Sequence, residues 1–91
     1  MEKRYRVVVY GRVQGVMFRH NVAKIAEKAN IKGWVRNNPD GTVEAVFEGK
    51  EETLEKVLNW CRKGPIGSKI EKVEVKEEEF KDEFEAFYIT A

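Results

Sequence analysis

Residues 4–30, RYRVVVYGRVQGVMFRHNVAKIAEKAN, change their hydrophobic period once, and that change decides the fold. From Arg4 to Gly11 the chain is rich in Val and Tyr, with Tyr5, Val7 and Val9 on one face and Val8 and Tyr10 on the other. Such alternation reads as a well-buried β-strand. From Phe18 onward Val22, Ile25, Ala26 and Ala29 recur at i, i+3, i+4 and i+7, the apolar stripe of an amphipathic helix that ends near Asn30. A strand therefore feeds a helix through residues 11–19.

The same alternation of periods continues downstream. Gly33, Trp34, Val35 and Arg36 lead into Asn38-Pro39-Asp40-Gly41, a turn with Pro second and Gly fourth, and Thr42 to Glu48 then alternates with Val43, Ala45 and Phe47 inward. Together they predict a hairpin. Leu54, Val57, Leu58 and Cys61 restore the helical spacing, with Glu51, Glu52 and Glu55 early and Arg62 and Lys63 late, as the helix dipole favours. Gly64-Pro65 stops this helix. Ile70, Val73 and Val75 predict a fourth strand that fades into the acidic run Glu77 to Glu79, and Phe84 to Ile89 a short fifth. The order βαββαβ plus a short last strand predicts a ferredoxin-like α+β sandwich, an antiparallel sheet with two helices on one face. Ninety-one residues make a single domain, 1–91.

Composition narrows the function. Seventeen basic against sixteen acidic residues leave a net charge of +1, which argues against a nucleic-acid binder. No strand carries the paired aromatics of an RNA recognition motif. The charge is uneven, about +5 over residues 1–45 and −4 over residues 46–91, so an anion should prefer the first half. One cysteine rules out an intramolecular disulfide, and no apolar run has the length of a signal or a membrane span. A cytoplasmic protein with no membrane or obligate protein partner is expected. Charged residues make up 36% of the chain, and 25 of those 33 are Lys or Glu, a bias of heat-adapted proteins.

Most chemistries lack their residues. Cys61 lies on an apolar helical stripe and reads as core rather than as a nucleophile. His20 is the only histidine, so no His pair offers a zinc site, and Ser68 is the only serine, with no neighbouring base. Neither a metal nor a cofactor is expected. The Glu-rich second helix and tail read as solvated faces.

The loop GRVQGVMFR, residues 11–19, is the exception. Gly11 and Gly15, four apart, allow successive N–H groups to turn inward as an anion-binding nest. Val16 and Met17 precede Phe18, so the helix has no Ser, Thr, Asp or Asn to cap its first amides. Arg19 places a cation in the first turn, where the dipole is already positive, a cost of a few tenths of a kcal/mol that a bound anion would reverse. These features describe a phosphate site, and a glycine-containing turn with an exposed Arg describes the same spacing. Asn37 beside the hairpin turn has a local explanation, since Asn favours turns. Trp34 reads as a strand residue facing the core. If a phosphate does bind, the available tools are an Arg, an amide and backbone N–H groups. They suit an acyl phosphate, whose carboxylate departs unaided, by positioning and electrostatic stabilisation.

Residues 11–19 resemble the acylphosphatase loop Gly-x-Val-Gln-Gly-Val-x-Phe/Tyr-Arg at every fixed position. Gly33-Trp34-Val35-Arg36-Asn37, followed by Asp40-Gly41-Thr42-Val43, is similar to that family's second block, and Gly64-Pro65 and Phe87-Tyr88-Ile89 extend the resemblance along the chain. Ser68 stands where the family often has Ala. The resemblance implies metal-free hydrolysis of small carboxyl phosphates such as acetyl or carbamoyl phosphate. It implies that Arg19 binds the phosphate, that the amides of Gln14, Gly15, Val16, Met17, Phe18 and Arg19 cradle it, and that Asn37 orients the attacking water. Substrate-assisted proton transfer would complete the reaction. A ferredoxin-like module that binds phosphate without turnover is the alternative.

Overall fold

The computed structural model describes residues 1–15 and 17–90. The elements are β1 (Glu2–Arg12), α1 (Phe18–Lys28), β2 (Lys32–Asn37), β3 (Val43–Lys50), α2 (Glu51–Lys63), β4 (Lys69–Glu78) and β5 (Phe87–Ile89). The sheet runs β4-β1-β3-β2-β5, so the first strand lies inside the sheet, between β4 and β3, and is antiparallel to both neighbours. This is the ferredoxin-like arrangement read from the sequence.

Strand register explains the core. Val7 lies opposite Ala45 and Val75, and Val9 opposite Val43 and Val73, so these rows across β3, β1 and β4 give one sheet face an apolar middle. Val22 and Ala26 of α1 and Leu54, Val57, Leu58 and Cys61 of α2 cover that face. The rings of Phe18 and Trp60, 5.4 Å apart, join the two helices. Burial pushes the Cys61 thiol up to about 12, in keeping with a core residue. Gly33 in β2 holds φ at +141°, and a Cβ there would stand 1.8 Å from the Val46 carbonyl oxygen, so only glycine admits this close strand approach. Among the described residues no helix is long and apolar enough to cross a membrane.

Three details differ from expectation. The short last strand pairs with β2 in parallel, Gly33 opposite Phe87 and Val35 opposite Ile89, so the sheet is mixed rather than wholly antiparallel. The cause is topological. The chain leaves β4 at the end where β2 begins and reaches the far edge there, so β5 must run in the direction of β2. β5 is also shorter than read, because Phe84 lies in the crossing, its ring 5.4 Å from the Arg4 guanidinium.

The acidic run does not fade from the sheet, nor is it only a solvated face. Glu77 and Glu78 pair in register with Tyr5 and Arg4, and the Glu78 carboxylate accepts from Arg4 at 3.0 Å and Arg6 at 2.8 Å. Glu83 also pairs with Arg4. Glu48, only 3% exposed, lies 3.4 Å from Arg4 and accepts the N–H groups of Lys81 and Glu83 at 2.9 and 3.3 Å. The crossing connection is thus anchored on a buried ion pair, at the sheet end away from the loop that follows β1.

Candidate active site

The ends of β1, β2 and β5 meet the N-terminus of α1 in one place. Val13, 1% exposed, anchors the loop after β1 to the core, and Phe18, 2% exposed, anchors the first residue of α1. Two described residues between them have left-handed backbone, Gly15 at φ +79° and Met17 at φ 60°. Met17 occupies the N-cap position with no side-chain cap, and the first turn of α1 holds no acidic residue. The helix therefore begins with amides that no side chain satisfies and with an uncompensated positive dipole end. Val16, expected in the cradle, lies outside the described residues.

An open pocket of about 300 Å³ lies against this helix start. Gly15, Met17, Phe18 and Arg19 form its loop side, Asn37 at the end of β2 forms another wall, and Ile89 of β5 a third. Arg19 and Asn37 are thereby brought into one pocket from different elements. Arg19 is half-buried, with one guanidinium nitrogen 3.4 Å from the Thr90 carbonyl oxygen. The Asn37 Oδ1 atom is buried and has no hydrogen-bond partner among the described residues. Such an orphaned acceptor costs on the order of 1 to 3 kcal/mol unless something donates to it, which makes it a candidate ligand contact.

Gln14 is placed differently from the other loop residues. It does not line the pocket, and its side-chain amide instead donates to the Asn38 carbonyl at 2.8 Å and the Thr42 carbonyl at 2.9 Å. That bridge ties the loop to the hairpin turn next to Asn37. The turn is itself well braced. Asn38 N–H donates to Thr42 O at 2.8 Å, Gly41 N–H to Asn38 O at 3.1 Å, and the Asp40 carboxylate accepts from the Thr42 hydroxyl and N–H at 2.6 and 3.0 Å. Those two donors hold the Asp40 carboxyl below its ordinary range.

His20, read as a surface residue, is exposed at the pocket's rim. Two wall residues, Val13 and Ile89, were not singled out in the sequence, where each looks like any apolar strand residue. Trp34, read as facing the core, does not do so, because the alternation of β2 turns Val35 inward instead, and it does not reach the pocket. It lies on the helix-free face with the guanidinium groups of Arg36 and Arg6 at 4.9 and 5.6 Å from its ring. Among the described residues no group of three or more His, Cys, Asp or Glu side chains is arranged to hold a metal ion. Chemically, the pocket offers backbone donors, one guanidinium and one free acceptor, a set matched to a tetrahedral oxyanion and a water molecule.

The chain is similar to known proteins in both sequence and fold. The sequence profile of the Acylphosphatase family matches residues 5–89. The acylphosphatase of Pyrobaculum calidifontis is 51% identical over 87 residues, covering 94% of this chain and 79% of that protein. That of Pyrobaculum aerophilum is 49% identical over 87 residues, covering 94% and 92%. The crystal structure of acylphosphatase from Bacillus subtilis superposes with a TM-score of 0.93 at 37% identity, each chain fully covered.

Proposed function

This chain belongs to the acylphosphatase family and is a hydrolase of acyl phosphates, and on that premise we propose that it cleaves the carboxyl–phosphate bond of small acyl phosphates without a metal, using Arg19, Asn37 and the amides of residues 14–19. The observation that carries the reading is the meeting, in one pocket, of Arg19, an uncapped helix start and the unpartnered Asn37 oxygen.

The phosphoryl oxygens accept hydrogen bonds from the amides of Gln14, Gly15, Val16, Met17, Phe18 and Arg19, while the Arg19 guanidinium supplies a two-pronged ionic contact. Donors aimed at the transferring group stabilise the charge it develops. Asn37 Oδ1 accepts one O–H of the attacking water and holds its oxygen toward phosphorus. The new P–O bond forms as the bond to the acyl oxygen breaks, and the carboxylate departs with the electron pair. Carboxylates are weak bases, so no general acid is required. The proton lost by the water passes to a phosphoryl oxygen of the substrate, leaving inorganic phosphate. Small acyl phosphates and phosphate are the ligands of this reading, in the cytoplasm, with no nucleic-acid, membrane or obligate protein partner.

The test is hydrolysis of benzoyl phosphate by the purified protein with EDTA present, followed by ultraviolet absorbance. Turnover insensitive to the chelator is expected. A folded protein that binds phosphate but shows no turnover would instead be a binding module, and activity that returns only on adding a metal would overturn the metal-free chemistry.

A further inference from the structure

The phosphate pocket does not end at Ile89. A second hollow of about 380 Å³ continues between α1 and the edge strand β5, and His20 and Ile89 line both. Along α1 its wall is His20, Ala23, Lys24 and Glu27, at i, i+3, i+4 and i+7, so one helix face borders it for about 10 Å. Phe87 and Ile89 form part of the opposite wall. Ala23 is the smallest side chain on that helix face. With Phe87 and Ile89 it makes an apolar path, while Lys24 and Glu27 supply charged groups farther along.

We infer that this α1–β5 groove is the subsite for the acyl chain, and that the enzyme favours linear, medium-length acyl phosphates over acetyl phosphate. The inference rests on the proposed acyl phosphate hydrolysis and adds its chain-length preference. A phosphate held by the amides of residues 14–19 leaves its acyl group at the pocket's rim, and the groove is the apolar continuation that shares residues with that rim. An acetyl group ends near the rim, and a hexanoyl chain extends farther along the groove past Ile89 toward Ala23.

The comparison to make is kcat/KM for acetyl and hexanoyl phosphate, whose leaving carboxylates are of nearly equal acidity, so that the chemical step is matched. Full burial of one methylene is worth about fourfold, and half-burial of four in an open groove gives a preference on the order of tenfold. The preference is expected in KM, because the chain is bound alike in ground and transition states. Ala23→Phe, which fills the groove, is expected to bring the hexanoyl value down to the acetyl value while leaving acetyl phosphate turnover unchanged. Ala23→Gln keeps a helix-compatible side chain and tests the same point should the larger ring disturb folding. Equal kcat/KM for both substrates in the parent protein, or a variant that lowers both alike, would overturn the subsite. Absence of acetyl phosphate turnover in the folded parent would overturn the hydrolysis reading itself, and is told apart by that substrate alone.

Discussion

Gln14 and Asn38 stand twenty-four positions apart, and the Gln14 side-chain amide donates to the Asn38 carbonyl over 2.8 Å. Its other contact, to the Thr42 carbonyl at 2.9 Å, closes the bridge. Gln14 therefore ties the start of the loop to the turn beside Asn37, and a change at Gln14 is felt on both sides of the candidate site.

Gln14→Ala is expected to cost about 1 to 2 kcal/mol of stability, the net worth of two hydrogen bonds, and about tenfold in kcat/KM through lost alignment. Both carbonyls keep a backbone donor, so the loss stays moderate. Gln14→Glu should be worse, because its ionised carboxylate would face two carbonyl oxygens with no proton to donate. Thermal midpoints and kcat/KM for the two variants check the order.

Arg19→Ala and Asn37→Ala are expected to separate binding from chemistry. Without Arg19, affinity for inorganic phosphate and turnover should fall together. Without Asn37, phosphate affinity should remain close to the parent value while kcat drops about a hundredfold or more. Titration calorimetry with phosphate beside steady-state kinetics decides it, and equal loss of phosphate binding in both variants would remove the division of roles.

The buried pair at the far end of the sheet should matter for stability alone. Arg4→Met leaves Glu48, 3% exposed, without its cation and is expected to cost about 3 kcal/mol, a fall in Tm on the order of 15 °C. Because Arg4 is remote from the pocket, kcat/KM measured well below the transition should be unchanged. Loss of activity in a folded Arg4→Met protein would contradict that separation.

Acid should weaken the fold through two carboxylates on the helix-free face. Burial alone would raise the Glu44 carboxyl, but hydrogen bonds from Arg6 at 2.7 Å and Arg36 at 2.9 Å hold it below the ordinary value of 4.5. Arg6 and then Arg4 do the same for Glu78. A carboxyl depressed in the folded state binds protons more readily once unfolded. Its stabilisation is complete above the unfolded value and is lost as pH falls through the folded one. Tm is expected to stay level from pH 8 to about 5 and to decline below about 4.5. Arg6→Met should lower the plateau and flatten the acid limb, so that the two curves converge at low pH.

The sequence made the helices and long strands legible because each buries one face against a common core, and burial imposes a period. It left β4 too short at the acidic run, since what keeps Glu78 in the sheet is Arg4, seventy-four positions away. It gave no hint that Glu48 is buried, because the alternation places that residue outward and the cover comes from residues 79–86. At the site, the missing cap and the placement of Arg19 pointed to an anion unaided, whereas Asn37, noticed beside the turn, had a local explanation and took on a role only through family resemblance. Its distinguishing property, an acceptor buried without a donor, exists only in three dimensions. The Gln14 bridge was equally hidden, for its partners are backbone carbonyls, which every residue carries.

The placement of β1 between β3 and β4 has a kinetic consequence. Glu2 pairs with Lys50, and Arg4 pairs with both Glu48 and Glu78, so the strand synthesised first waits for partners that lie about half a chain and nearly a whole chain away. Closing such long loops costs entropy before the contacts return any, which sets a high relative contact order. This protein should therefore fold far more slowly than a helical bundle of its length. Its rate-limiting step should be the threading of β1 between β3 and β4, and substitutions that weaken those two ladders should slow folding more than substitutions in either helix.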